Sequence, residues 1–184
     1  MNKRYELRPW SLSDCRSLAE YANNIHVWNN LRDGFPSPYT EEDARVYIAN
    51  TLTKDCVQDF AIIVDGKAVG GIGFIPQVDV ERYSAEIGYW LGEPYWGCGI
   101  MSKVVSEVVE YVFATTELVR LYASVFESNP ASRKVLEKCG FRLVGIMHKA
   151  VRKNDRWVDM CYYEILKSSE AQSKGKGDDS ESSL

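Results

Sequence analysis

Residues 93–103, EPYWGCGIMSK, offer the first chemical possibility: Gly97 and Gly99 bracket one residue where an apolar, β-rich run gives way to a valine-studded one. The first N–H groups of a helix have no intrahelical acceptors, and glycines let a backbone close on a guest. Phosphate oxygens suit such a place, and the helix dipole adds to the attraction. A tight strand-to-helix connection accounts for the same glycines. The spacing is neither Gly-x-x-x-x-Gly-Lys-Ser/Thr nor Gly-x-Gly-x-x-Gly, which excludes ATP hydrolysis and NAD chemistry. Cys98, between the glycines, is a second possibility, a thiol activated by the helix terminus for ping-pong transfer. Neither His26 nor His148 is near it in sequence. Glu86 is a third: in SAEIGYW a period of two puts Glu86, Gly88 and Trp90 on one face of a strand and Ile87, Tyr89 and Leu91 on the other. A carboxylate among apolar neighbours can take a proton directly or through water, or it can face solvent or pair with an arginine across the sheet.

The elements that must position these residues follow from pattern and punctuation. Arg4–Arg8 alternates as a first strand, and Ser11 or Ser13 can cap a helix running to about Asn24. The next stretch, HVWNNLRDGFPSPYTEEDA, is rich in Asn, Gly, Pro and aromatics, and Thr40 with three acidic residues behind it marks a helix start. Phe60–Val64 and Ala68–Ile75 form a hairpin about Asp65-Gly66, with Tyr83–Leu91 completing a meander. From Met101, apolar residues at 104, 105, 108, 109, 112 and 113 share one helical face. Leu118–Phe126 returns as a strand. Asn129-Pro130 opens a helix that Gly140 closes, and Leu143–Val151 and Trp157–Leu166 flank a hairpin at Lys153-Asn154-Asp155. The layout is α+β, with one helical crossover in mid-chain.

At 184 residues, 45% hydrophobic and 26% charged, the chain suits one globular domain over 1–167 with a polar, disordered tail over 168–184. The N-terminus has no signal-peptide core, no apolar run approaches a membrane span, and five cysteines without a Cys-x-x-Cys pair fit a reducing compartment, so the expected location is the cytoplasm. Two histidines give no metal-ligand cluster, so no metal is expected. A net charge of -4 without a basic stripe argues against nucleic acid and leaves a small substrate or a single chain end.

Trp96-Gly97-Cys98-Gly99-Ile100-Met101 resembles the pyrophosphate loop of the GCN5-related N-acetyltransferase (GNAT) superfamily. Asn129-Pro130-Ala131-Ser132 through Glu137-Lys138-Cys139-Gly140-Phe141 is similar to its second signature, and Asn30–Thr40 to the early loop of the branch containing ribosomal-protein N-terminal acetyltransferases. Together they cover most of residues 4–167. Trp96 stands where Gln or Arg is usual, and Met101 replaces a small residue, which crowds the loop's exit. The resemblance implies a GNAT-like mixed, largely antiparallel sheet of six or seven strands, splayed between its central strands and flanked by helices. It also implies acetyl-CoA as donor, a primary amine as acceptor, direct attack in a ternary complex, and a monomer or homodimer.

By the same resemblance, backbone groups of Tyr89 and Leu91 pair with the pantetheine where Ile87–Leu91 and Leu121–Phe126 part, with Trp90 also on the cofactor and Asn129 contacting its arm. Trp96 and the amides of Gly97, Cys98, Gly99, Ile100, Met101 and Ser102 face the pyrophosphate, with Lys103 and Lys134 within reach of an outer phosphate. Glu86 is the base, and Ser132 lies near the thioester sulfur. Trp28, Arg32, Asp33, Phe35 and Tyr39, with the hairpin near Asn154, form the acceptor site. Val151 stands where some members carry a second carboxylate, a departure that fits the alternative of an inactive acyl-CoA-binding protein.

Overall fold

The computed structural model describes residues 4–54 and 56–168. Its strands are Glu6–Pro9 (β1), Asp59–Val64 (β2), Lys67–Pro76 (β3), Ser84–Leu91 (β4), Arg120–Phe126 (β5), Arg142–Lys153 (β6) and Arg156–Leu166 (β7). Its α-helices are Cys15–Ala22 (α1), Ile25–Trp28 (α2), Glu41–Leu52 (α3), Ile100–Thr115 (α4) and Pro130–Lys138 (α5). The strands form one seven-stranded sheet in the order β1-β2-β3-β4-β5-β7-β6. All neighbours are antiparallel except β4 and β5, which are parallel and joined by the crossover that contains α4.

Local chemistry explains most of the boundaries. Asp65 and Gly66 both have positive φ (50° and 76°), as do Asn154 and Asp155 (50° and 60°), the backbone twist that two-residue hairpin turns require. Thr40 and Asp43 form a reciprocal capping box at the start of α3. Asn129 accepts the Ser132 N–H at α5, with Pro130 in the first turn. Valine is a poor helix former, yet Met101, Val104, Val105, Val108, Val109 and Val112 are all buried along α4. Burial at roughly 1.5 kcal/mol or more per side chain exceeds a propensity cost of about 0.5 kcal/mol each.

Two differences from the sequence reading stand out. Ser11 caps a short 3-10 turn, Leu12–Asp14, before α1, which ends at Ala22 rather than near Asn24. The segment after it also contains α2, a single turn capped by Asn24, where irregular chain is expected. Four residues are too few to register a helical period.

The core lies on both faces of the sheet. One cluster joins α4 and α5 to Ile62, Ile72, Phe74, Ile87 and Leu121, and the other joins α1 and α3 to Trp10, Tyr39, Ala61 and Ile63. Among the described residues, no helix is long and apolar enough to cross a membrane. The expected disordered tail lies, from residue 169 onward, outside the described residues.

Candidate active site

The pairing of β4 with β5 stops early. Ser84, Ala85 and Glu86 oppose Arg120, Leu121 and Tyr122, after which β4 continues beside β3 to Leu91 and β5 continues beside β7 to Phe126. The sheet is therefore open from Ile87 and Ala123 onward, two residues later on β5 than the sequence suggests. Gly92 N–H donates to Val69 O, so by alternation Trp90 and Gly88 bond toward β3, while the C=O of Ile87 and the N–H and C=O groups of Tyr89 and Leu91 point into the opening. These are edge groups without a ladder partner on that side, able to pair with an extended guest.

Glu86 sits at the last paired position, half-buried. Its Oε1 accepts a 2.6 Å hydrogen bond from Ser124 Oγ and a second from Arg32 Nη2, which also donates to Ser124 Oγ at 2.8 Å. Beyond it on the same face is Gly88, where a side chain would meet nothing within 4 Å, so the floor beside the carboxylate is open. Trp90 follows and packs edge-on against Phe35, with ring centroids 5.8 Å apart.

The opposite face presents Tyr89 toward α5. Its hydroxyl lies 2.9 Å from Ser132 Oγ and 3.3 Å from Ser132 O. Burial pushes the phenol well above its usual range, a trend the hydrogen bond with Ser132 opposes. Asn129 Oδ1 accepts Ser132 N–H at 3.1 Å and fixes the first turn of α5. Sequence reading treats Tyr89 as a backbone contact only, because nothing in the pattern shows that its hydroxyl reaches a serine 43 residues away.

At the end of the opening, Gly97 and Gly99 hold φ of 70° and 73°, and no atom lies within 4 Å of where their side chains would begin. Conformation rather than crowding therefore selects glycine here. Gly99 is the N-cap of α4 and provides no side-chain cap, and no acidic residue lies in the first turn. The leading N–H groups of a 16-residue helix are thus left to other acceptors. Trp96 braces the loop by donating its indole N–H to Leu91 O at 2.6 Å, so that carbonyl already has a partner. Cys98 Sγ donates to Trp96 O at 3.5 Å, while His148 is engaged with Asp159 at 2.7 Å and His26 lies in α2. Ile100 and Met101 are buried, so Met101 turns into the core rather than crowding the loop's exit. Ser102 is half-buried, and its carbonyl accepts the Cys139 thiol at 3.1 Å. Lys103 and Lys134 are exposed on α4 and α5.

The segment after α2 meets the β6–β7 hairpin, as the sequence suggests, through contacts it could not show. Lys153, buried, places Nζ 3.2 Å from the centre of the Trp28 ring and donates to Asp33 Oδ1 at 2.6 Å. Asn154 Nδ2 donates to Asn29 Oδ1 at 2.9 Å, and Trp28 Nε1 to Phe35 O at 2.9 Å. Tyr39 is a buried core residue instead of a groove wall, its ring tilted against Phe35 with centroids 4.8 Å apart. Val151 is half-buried in β6 opposite Val158.

A mixed sheet parted at its one parallel pair, beside an uncapped helix terminus, offers one guest both strand-edge hydrogen bonds and an anion site. The model of the acetyltransferase (GNAT) domain matches residues 4–142, and the chain belongs to that family. It is 29% identical over 166 residues to the uncharacterized N-acetyltransferase YnaD of Bacillus subtilis, covering 89% of this chain and 94% of that one. It is also 29% identical over 127 residues to the ribosomal-protein-serine acetyltransferase of Escherichia coli, covering 67% and 70%. Among solved structures, a GNAT-family acetyltransferase from Bacillus anthracis superposes with a TM-score of 0.78 at 26% identity, over 90% of this chain and 96% of that one. A ribosomal L7/L12 α-N-protein acetyltransferase in complex with coenzyme A shares the fold with a TM-score of 0.76 at 23% identity, over 88% and 93%. The protein is accordingly an N-acetyltransferase, and its reaction moves an acetyl group to an amine.

Proposed function

We propose that the chain binds acetyl-CoA in the opening between β4 and β5 and transfers its acetyl group directly to a primary amine bound on the Glu86 face. The observation that carries this reading is the opening itself, which has Glu86 on one face and the Tyr89–Ser132 pair on the other. A thioester lying in the gap has a proton acceptor on the side of the incoming amine and a hydroxyl on the side of the departing sulfur. Amides of Gly97, Cys98, Gly99, Ile100, Met101 and Ser102 receive the pyrophosphate, and backbone groups of Tyr89 and Leu91 pair with the pantetheine, with Trp90, Asn129 and Lys134 lining its path.

In the reaction, the acceptor ammonium gives one proton to Glu86, directly or through water. The neutral nitrogen attacks the thioester carbon, forming the C–N bond, and backbone N–H groups facing the gap stabilise the oxyanion. As the C–S bond breaks, the nitrogen releases its second proton to solvent, the thiolate receives a proton from Ser132, and solvent reprotonates the serine, so that one proton of the ammonium is released overall. Trp28, Arg32, Asp33 and Phe35 border the acceptor; Tyr39 supports them from below.

The acceptor is a protein N-terminus or a small amine, the former in keeping with the ribosomal-protein enzyme among its relatives. Five unpaired cysteines support a cytoplasmic location. The test is release of the CoA thiol across a panel of peptides, polyamines, amino acids and aminoglycosides, with acetyl-CoA binding followed by calorimetry. Glu86→Gln is expected to lower kcat about 100-fold on the best acceptor with acetyl-CoA affinity unchanged. An unaltered kcat removes Glu86 as the base, and absence of acetyl-CoA binding overturns the reading.

A further inference from the structure

We infer that the Tyr89 hydroxyl is a positioning group that donates to Ser132 Oγ and so leaves the seryl proton to be given to the sulfur of coenzyme A. The inference rests on the proposed reading in one respect, that the thioester end of the cofactor lies in the gap near Ser132. The remainder comes from the hydrogen-bond inventory at that point.

A phenol has a single proton to give, and here two acceptors are within reach, Ser132 Oγ at 2.9 Å and Ser132 O at 3.3 Å. The shorter and therefore stronger contact is to Oγ. The alternative arrangement has the serine donating to the phenol, which consumes the only proton the serine could give to sulfur. The Ser132 N–H is already committed to Asn129 Oδ1, so the backbone at 132 is fixed and the side chain can turn only about its own bonds. A donor chain from phenol to serine to thiolate also polarises along its length, which makes the serine a better donor than it would be alone. This compensates for the weakness of a seryl hydroxyl as an acid. Because burial raises the phenol's pKa, Tyr89 keeps its proton throughout the working range.

The charged and titratable groups around the phenol come from two further elements. Cys139, at the end of α5, donates its thiol to Ser102 O at 3.1 Å. Tyr163, on β7, accepts from Arg133 Nε at 3.1 Å and donates to Glu137 Oε1 at 2.9 Å. None of these contacts involves the Tyr89 hydroxyl, so Tyr89→Phe leaves them in place.

The experiment needs no acceptor. Free coenzyme A is bound to the protein, and the ultraviolet absorbance of its thiolate is titrated against pH in wild type, Tyr89→Phe, Ser132→Ala and the double variant. A serine donating to sulfur stabilises the thiolate, so Ser132→Ala should raise the bound thiol's apparent pKa by about one, a tenfold loss of thiolate at a given pH. Tyr89→Phe should produce a smaller rise of the same sign, because the phenol only orients and polarises the serine, and the double variant should go no higher than Ser132→Ala alone. An unmoved thiol pKa in Tyr89→Phe with coenzyme A bound overturns the role of Tyr89, as does a double variant in which the two rises add. An unmoved pKa in Ser132→Ala overturns the placement of the serine at sulfur and the inference with it. Wild type that binds no coenzyme A overturns the reading beneath both. Should Tyr89→Phe not fold, 3-fluorotyrosine placed at position 89 strengthens the phenol as a donor. It should lower the bound thiol's pKa, and no change there is equally decisive against the inference.

Discussion

Glu86 Oε1 accepts two hydrogen bonds at once, from Ser124 and from Arg32, and the two residues differ in what they can do there. Ser124 is on the neighbouring strand and holds the carboxylate against the sheet. Arg32 is largely exposed on a loop, and its guanidinium covers the solvent side of Glu86, where the proposed acceptor would have to displace it. Losing the serine frees the carboxylate to turn without removing it. Ser124→Ala is therefore expected to lower kcat about tenfold, less than Glu86→Gln, with acetyl-CoA affinity unchanged, as steady-state kinetics beside calorimetry will show. A variant indistinguishable from wild type would mean that the strand alone orients Glu86.

Two elements frame the opening, and each has its own sensitivity. At the N-terminus of α4, an alanine in place of Gly99 meets no atom, so its cost is that of a left-handed backbone, about 1 kcal/mol, and any relaxation turns the helix N–H groups away from a bound pyrophosphate. Gly99→Ala is expected to weaken acetyl-CoA binding roughly tenfold in calorimetry while leaving the acceptor KM alone. At the β6–β7 hairpin, Lys153→Met keeps the chain over the Trp28 ring but loses the ammonium and its bond to Asp33, a loss of about 1–2 kcal/mol that loosens the proposed acceptor loop. There the acceptor KM should rise several-fold and acetyl-CoA affinity should hold, the reverse of the glycine variant. The contrast also marks what the sequence made legible. The glycines, the valine face of α4, the Asp-Gly hairpin and the Asn129 cap are local signals, readable from neighbours a few residues apart. The end of the β4–β5 pairing, the bond of Ser124 to Glu86, the Tyr89–Ser132 contact and the Lys153 clamp depend on register between strands or on residues up to 125 positions apart. No period or propensity encodes those distances. Met101 and Tyr39 face the core where the sequence suggests otherwise for the same reason, since an apolar or aromatic residue near a loop shows its chemistry but not the direction it faces.

Across the whole molecule, carboxylates held by arginines link the fold to pH. Asp14 is buried at the start of α1, takes a bidentate pair from Arg8 with both bonds at 2.7 Å, and accepts Ser11 N–H at 3.0 Å, which ties β1 to the helix behind it. Burial alone would raise its pKa, but the Arg8 bonds and the Ser11 amide outweigh that and hold it below the usual carboxylate range. Glu164 on β7, bonded by Arg120 and Arg142, is also held low, first by the Arg120 hydrogen bond. A carboxyl whose folded pKa lies below its unfolded one binds fewer protons when folded, so its stabilisation is fully present above the unfolded value, near 4, and is lost as pH falls through the folded one. The melting temperature should thus change little between neutrality and about pH 5.5 on account of these groups and fall steeply below about pH 4. Asp14→Asn loses the charge but keeps the shape. It is expected to be about 1–3 kcal/mol less stable than wild type at neutral pH, with the two melting curves converging as both are acidified. A gap that stays constant down to acid pH would assign the loss to packing around Asp14 rather than to its ion pair with Arg8.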